Sequence, residues 1–448
     1  MGAPGSCHAI SRVRDQPVRS DLNVYRCAVT VLYRLLPRFG SVNPMPKLLL
    51  YPAFPDQETL FNQIFRVIWH FAPMATRIDQ VIIPWAGGGT ISVDMDAALQ
   101  DAGTVLSKDF DPYIATLAKS YLGKFQIVGP GVEDLVGDDL AGILVWNTSQ
   151  APTVRFAQEL GRKYESQVVL VDPTRRQQET LESIRFAYTL WTPGELNDLV
   201  AESYSAFCGV LERWRGKKIS AFGNGLSLGR VVREKIDPGP TLRAVCNSTI
   251  GDSAALEFLS PNLLFCGDPV QHCGVSLYAG EFRRGLADAM KDPDRILLTQ
   301  LGYVPYFRLT TAPECHDRII GIGNDRRATF NLNLAEEFLT AATANIFTML
   351  VLPVACSLSH EIDIYGCDGM PFTAATKPWS HSDEDDYMSK MSVTHRVHSG
   401  FWKRNYEEEY WSYCRDMADL LSLAESSGRK VQVKTPSFVP ALAQRFRA

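Results

Sequence analysis

The sequence predicts an α/β protein of two doubly wound units, each an open parallel sheet with helices on both faces, meeting across a cleft. Three observations predict it. The chain has 448 residues, more than one core usually holds. Short runs rich in Val, Ile and Leu alternate with stretches of helical period, the pattern of parallel strands buried on both faces. A helical stretch, Pro193 to Trp214, divides two such series.

In the first series the predicted strands are Lys47–Tyr51, Gln80–Pro84, Thr104–Ser107, Gln126–Val128, Gly142–Trp146 and Gln167–Val171, with helices at Glu58–Phe71 and Thr153–Tyr164. The second series predicts strands at Ile219–Phe222, Leu242–Cys246, Leu263–Cys266, Ile296–Gln300, Arg318–Ile322, Glu361–Tyr365 and Lys430–Lys434. Its long helices are expected at Leu334–Ala355 and Tyr406–Ala424. Met370 to Lys390 holds Pro371, Pro378 and the acidic run Asp383–Asp386, and reads as a loop or lid. The division expected is an extension over 1–44, an acceptor unit over 45–200, a donor unit over 201–436 and a tail over 437–448.

Composition narrows the function. Hydrophobic content of 46% and charged content of 21% are those of a globular protein. A net charge of −5 argues against general nucleic-acid binding. Ten cysteines are scattered singly, mostly in apolar runs, with no Cys-x-x-Cys pair and no Cys/His cluster. They read as core residues in a reducing compartment, and no metal site is expected. No apolar run approaches the roughly 18 residues of a membrane span. Residues 1–44 carry six arginines against Asp15 and Asp21. They read as an extension, with a transit-like or membrane-surface arm as the alternative. The expected location is the cytoplasm, with peripheral attachment to the inner face of a membrane left open.

The strand ends carry the chemistry. Gly223-Asn224-Gly225-Leu226-Ser227-Leu228 follows a strand and opens a helix. Glycines allow the tight turn, and free N–H groups at a helix start attract phosphate. A plain strand–helix turn explains the same residues. Other strands end in Asn247-Ser248-Thr249, in Gly267-Asp268-Pro269-Val270-Gln271-His272 and in Gly366-Cys367-Asp368. Turn chemistry accounts for each singly. Together they lie on the carboxyl edge of an open parallel sheet, where ligands bind. His395 and His398, in Thr394–Ser399, suit proton transfer at neutral pH. Glu195 falls three residues after Thr192 with Pro193 between, a capping box. The functional alternative puts its carboxylate at the junction of the two units.

The order of these motifs resembles the bacterial CMP-sialic-acid sialyltransferases over roughly residues 217–440. It runs Gly-Asn-Gly-x-Ser-Leu, Cys-Asn, a Pro-containing turn, a Thr/Ala-rich helix from Thr340, Gly-x-Asp, then His-x-x-His-Ser. The resemblance implies two Rossmann-like domains in a GT-B-like pair, with a sialyltransferase-like C-terminal half. It implies that Asn224 and Ser227 hold the donor phosphate, with Gly223 and Gly225 in the same donor-binding turn, and that Asn247 contacts nucleotide or sugar. Pro269, His272, Thr340, Thr343, Asp368, His395 and Ser399 complete the implied donor site, and His398 is implied as general base. No metal or other cofactor is implied.

Two departures shift the resemblance. The N-terminal α/β half is large, and the third strand ends in Asp268-Pro269 rather than a neutral residue before the proline. Both features look more like the retaining bacterial β-Kdo transferases. In that reading Asp268 is the nucleophile and Glu195 assists proton transfer. The substrates implied are a CMP-activated 2-keto sugar acid and a saccharide or glycolipid acceptor of bacterial polysaccharide or lipopolysaccharide biosynthesis. An inverting sialyltransferase is the alternative enzyme. A nucleotide-binding or pyrophosphokinase-like module is the alternative of another class.

Overall fold

The computed structural model describes residues 46–87, 94–132, 137–175, 178–370 and 384–447. Five strands, β1 (Lys47–Tyr51), β2 (Gln80–Pro84), β3 (Phe125–Val128), β4 (Leu140–Val145) and β5 (Gln167–Leu170), form one sheet in the order β3-β2-β1-β4-β5. The second sheet holds β6 (Ile219–Phe222), β7 (Leu242–Cys246), β8 (Leu263–Phe265), β9 (Ile296–Gln300), β10 (Ile319–Asp325), β11 (Leu339–Ala341), β12 (Glu361–Tyr365) and β13 (Lys430–Val433). Its order is β11-β10-β9-β8-β7-β6-β12-β13. Every pairing in both sheets is parallel. The result is a two-lobed Rossmann/GT-B-like architecture.

Parallel order places a reversal in each sheet. From β6 the chain winds outward through β7, β8, β9 and β10, then returns to lay β12 on the other side of β6. The crevice at the carboxyl ends of β6 and β12 is therefore the switch point of the larger sheet, the usual ligand position in such folds. The matching point of the smaller sheet lies between β1 and β4.

The pattern of β6 shows why it is central. All four residues are buried. Ile219 and Ala221 join one apolar cluster and Phe222 the other, as a period of two requires. The cluster containing Phe222 runs without a break into the first lobe, through Trp69, Phe71, Phe186 and Tyr306. Helix Pro193–Trp214 has the expected start: Thr192 and Glu195 form the capping box and Pro193 opens the first turn. Helix Gln57–His70 is capped by Asp56, and it buries Gln63, Arg66 and His70 as well as its apolar residues.

Three sequence expectations change. Thr104–Ser107 is not a strand; Ala102–Val105 is a short helical turn in which the Thr104 hydroxyl bonds Asp101. Two apolar residues, Val105 and Leu106, between hydroxyl residues do not distinguish the two states, and the local bond to Asp101 favours the turn. Leu334–Ala355 is not one helix. Leu339–Ala341 pairs with the free edge of β10 as β11, and helix begins only at Phe347, with a π segment to Val351 and α-helix over Leu352–Leu358. Backbone pairing along an open edge outweighs modest helix propensity there. Of the expected lid, 371–383 lie outside the described residues, and Glu384 starts a helix that runs to Val397. Thr394 and His395 thus sit in a helical turn rather than a loop. Residues 1–44 lie outside the described residues.

Candidate active site

At the switch point the two strand ends are stitched together. Gly223 N–H donates to the Tyr365 carbonyl at 2.8 Å, and Gly225 N–H donates to the Gly366 carbonyl at 2.8 Å. A Cβ on Gly223 would lie 2.5 Å from the Gly366 oxygen, and one on Gly225 would lie 2.8 Å from the Asp368 carboxyl carbon. Contact with the β12 loop is therefore what requires the glycines. Asp368 reaches the first turn of helix Leu226–Arg233: Ser227 N–H donates to its Oδ2 at 2.6 Å and the Ser227 hydroxyl to its Oδ1. The donors expected to face a phosphate are engaged by this internal carboxylate. Burial raises the Asp368 pKa, and the two Ser227 bonds oppose the rise.

Beside this pair, Asn224 Nδ2 donates to the Ser248 hydroxyl at 3.2 Å. Asn247 adopts a left-handed φ of 51°, which asparagine tolerates better than most residues, and its Oδ1 is buried without a partner. The β12 loop is braced from behind. Gly366 N–H donates to Thr435, Ser437 donates to the Cys367 carbonyl, and Phe438 N–H donates to the Asp368 carbonyl at 2.6 Å. Residues assigned to the tail thus support the strand end.

Two strands along the same edge, Asp268 caps helix Pro269–Cys273. Its Oδ1 accepts from Val270 N–H at 2.9 Å and Gln271 N–H at 2.8 Å. No hydrogen bond reaches Oδ2 among the described residues. Pro269 occupies the first helical position. His272 is buried, and its Nδ1 accepts the N–H groups of Gly267 and Asp268 at 3.2 and 2.9 Å. Burial lowers its pKa to about 4, so the ring is neutral and its proton sits on Nε2. The turn after β11 approaches this point: Ile346 Cδ1 would lie 2.8 Å from a Cβ on Gly267.

His398 lies where the lobes meet. Its Nδ1 is 3.0 Å from Glu179 Oε2, and Glu179 Oε1 receives Arg66 Nη1 at 2.6 Å. Burial pushes the Glu179 carboxyl up, but Arg66 and His398 outweigh it and hold the group at about 2. An ionised carboxylate accepts only, so Nδ1 carries the hydrogen. Nε2 is buried without a partner, beside Gly274, where a Cβ would lie 2.9 Å away. Gly400 N–H donates to the Pro173 carbonyl, and Lys403 Nζ donates to the Thr174 carbonyl at 2.8 Å, which seats this segment on the loop after β5. Asp268 and His398 adjoin opposite ends of the 269–273 helix, about 7.5 Å long, and do not form a pair.

The remaining candidates are dispersed. Glu195 Oε2 accepts from Thr192, and its Oε1 is held by Arg77, which precedes β2; the carboxylate thus sits near the amino edge of the first sheet. Thr340 is buried in the edge strand β11 and donates to the Gly323 carbonyl at 3.3 Å. Five strand spacings separate β11 from β6, about 24 Å. Thr343 bonds within its own turn, to Asn345 and Thr348. His395 is exposed with its ring edge-on to Trp402, and Ser399 opens the short 3-10 turn that ends at Trp402.

Sequence reading missed Arg66, His70 and Glu179. Arg66 and His70 had a signal: both interrupt an otherwise apolar stretch, Phe65 to Phe71, where a polar residue must be paired or neutral. Glu179 had none. Among the described residues, no three His, Cys, Asp or Glu side chains gather as metal ligands, and no helix is long and apolar enough to cross a membrane. No protein-family model matches the chain, and no curated protein matches it. The architecture is consistent with a two-domain nucleotide- or sugar-binding enzyme fold.

Proposed function

We propose that the chain is a glycosyltransferase that moves a 2-keto sugar acid, Kdo ahead of sialic acid, from its CMP-activated donor to a saccharide acceptor. The observation that carries the reading is the half-used carboxylate of Asp268. Two backbone N–H groups fix Oδ1, while Oδ2 has no hydrogen bond among the described residues. Asn224, Asn247 and Asp268 follow the neighbouring strands β6, β7 and β8. They span two strand spacings, about 10 Å, the scale of a nucleoside phosphate joined to a sugar.

In this reading Oδ2 attacks the anomeric carbon. The bond from that carbon to the CMP phosphate oxygen breaks, and CMP departs with the electron pair. The acceptor hydroxyl then attacks the same carbon, loses its proton to a base, and expels the Asp268 carboxylate. Two inversions give net retention. Asn224 and Asn247 offer polar contacts to the donor. Ser227 contributes to phosphate binding only if the Asp368 carboxylate gives way.

One observation favours the inverting alternative: Glu179 fixes the His398 tautomer that leaves Nε2 as the basic atom. Burial of Nε2 weighs against it as an open base. Incubation with CMP-Kdo and, separately, CMP-sialic acid decides. A glycosyl adduct on Asp268 by intact mass, its absence in Asp268→Asn, and retained configuration by NMR are expected. Full activity of D268N sinks the retaining mechanism. Thermal stabilisation by ATP but not by CMP points instead to a nucleotide-binding module.

A further inference from the structure

The geometry points to His272 as a positioning residue that sets the backbone of Asp268; this rests on the reading of Asp268 as nucleophile. A helix start needs an acceptor for its own first N–H groups, and the Asp268 side chain provides one. His272 does something else. It reaches back from the helix to take the two N–H groups that precede it, those of Gly267 and Asp268, on one nitrogen.

The same stretch is held elsewhere too. Gln300 Nε2 donates to the Gly267 carbonyl at 2.8 Å. The side-chain ends of Ile346 and Met349 close over Gly267, where a Cβ would meet them at 2.8 and 3.1 Å. The imidazole itself is fixed. Its face stacks on Phe282 with ring centroids 4.0 Å apart, and the His272 carbonyl accepts from Arg283 Nη1 at 2.9 Å.

At a strand end facing solvent, water can satisfy a loop N–H. Here a fully buried neutral ring is used, at a desolvation cost seen in its lowered pKa. The gain is a peptide that does not shift when Oδ2 takes on the sugar. A displacement of about 1 Å at a reacting atom can cost on the order of 10²-fold in rate.

Three substitutions test this in the full chain with CMP-Kdo as donor. His272→Asn keeps an acceptor near the position of Nδ1. His272→Phe keeps the ring on Phe282 and removes the acceptor. His272→Gln keeps polarity but carries its oxygen one atom too far. We expect H272F and H272Q to lose kcat by about 10²-fold while KM for CMP-Kdo stays near wild type, and H272N to recover most of the rate. Glycosyl-ester formation on Asp268, followed by quenched intact mass, should slow in parallel. If H272F fails to fold, the contrast between H272N and H272Q decides. Equal loss in H272N and H272Q, a change confined to KM, or wild-type rates in H272F and H272Q would overturn the inference. Turnover by wild type with no adduct and with inverted product overturns the nucleophile reading itself, and the role of His272 with it.

Discussion

The imidazole of His398 and the carboxylate of Glu179 meet at 3.0 Å across the junction of the two lobes, each only 3% exposed. Arg66 completes the group: it binds the other Glu179 oxygen at 2.6 Å and donates to the Val397 carbonyl at 2.6 Å. A buried salt bridge within the first lobe, Arg66–Glu179, thus hydrogen-bonds across to the second lobe at His398 and the Val397 carbonyl. Such a bridge adds little net stability when intact but is costly to break on one side.

Glu179→Ala should therefore destabilise the protein by roughly 3–5 kcal/mol, because it strands the Arg66 guanidinium without water or counter-charge. Urea unfolding measures it. Arg66→Met combined with Glu179→Leu should recover a large part of the loss. A single-variant cost below about 1 kcal/mol, the range of an exposed pair, would contradict the buried bridge.

Acid should loosen the molecule earlier than carboxylates alone predict. Burial lowers His70 from an ordinary 6.5 to about 3, and His272 from 6.5 to about 4. The unfolded chain takes up these protons first. The stabilisation is then complete above about pH 6.5 and is lost as pH falls through 4 and then 3. Glu179, lowered from 4.5 to about 2 against the opposing effect of burial, adds stability that is complete above 4.5 and lost as pH falls through 2. All three slope the same way. Melting temperature should be level from pH 7 to 8 and fall steadily below 6.5. A level profile down to pH 5 would contradict neutral buried imidazoles.

Gly400→Ala tests the seat between the lobes. A Cβ at Gly400 would lie 2.0 Å from the Arg175 carbonyl oxygen and 2.2 Å from its carbon, both backbone atoms. The expected loss is about 1–3 kcal/mol, as for other overpacked sites. Gly103→Ala, which meets nothing within 4 Å, is the control and should be neutral or slightly stabilising. Thermal unfolding of the two variants side by side suffices. Equal behaviour would mean the segments are further apart.

Asp368→Ala should cost about 1–2 kcal/mol, the range for loss of a helix N-terminal acceptor. Ser227→Ala in that background should add less than about 0.5 kcal/mol, since the bond it removes is already gone and contacting residues do not add independently. Fully additive losses would show that the two side chains act separately.

Much of the fold was legible because parallel strands announce themselves. Ile219–Phe222 and Leu242–Cys246 are short apolar runs closed by turn residues, and the structure keeps those bounds. Glu195 and Thr192 were legible for the same local reason: a capping box is written in four residues. Leu334–Ala355 was not, because its conformation depends on pairing with the open edge of β10, a strand that lies outside the segment itself. The candidate site divides along the same line. Turn glycines and strand-end acids can be seen locally. The seizure of Ser227 by Asp368, and the meeting of Arg66, Glu179 and His398, are matters of tertiary placement that no short window contains.

Ser227 and Asp368 are 141 residues apart in sequence, and Gly366 and Thr435, which brace the same crevice, are 69 apart. Closing such long loops is entropically expensive before contacts reward it, so non-local pairings of this kind form slowly. A partly folded chain would already carry the glycine turn, but with its helix donors uncovered. Slow exchange of the Ser227 amide hydrogen would mark molecules that have finished the journey.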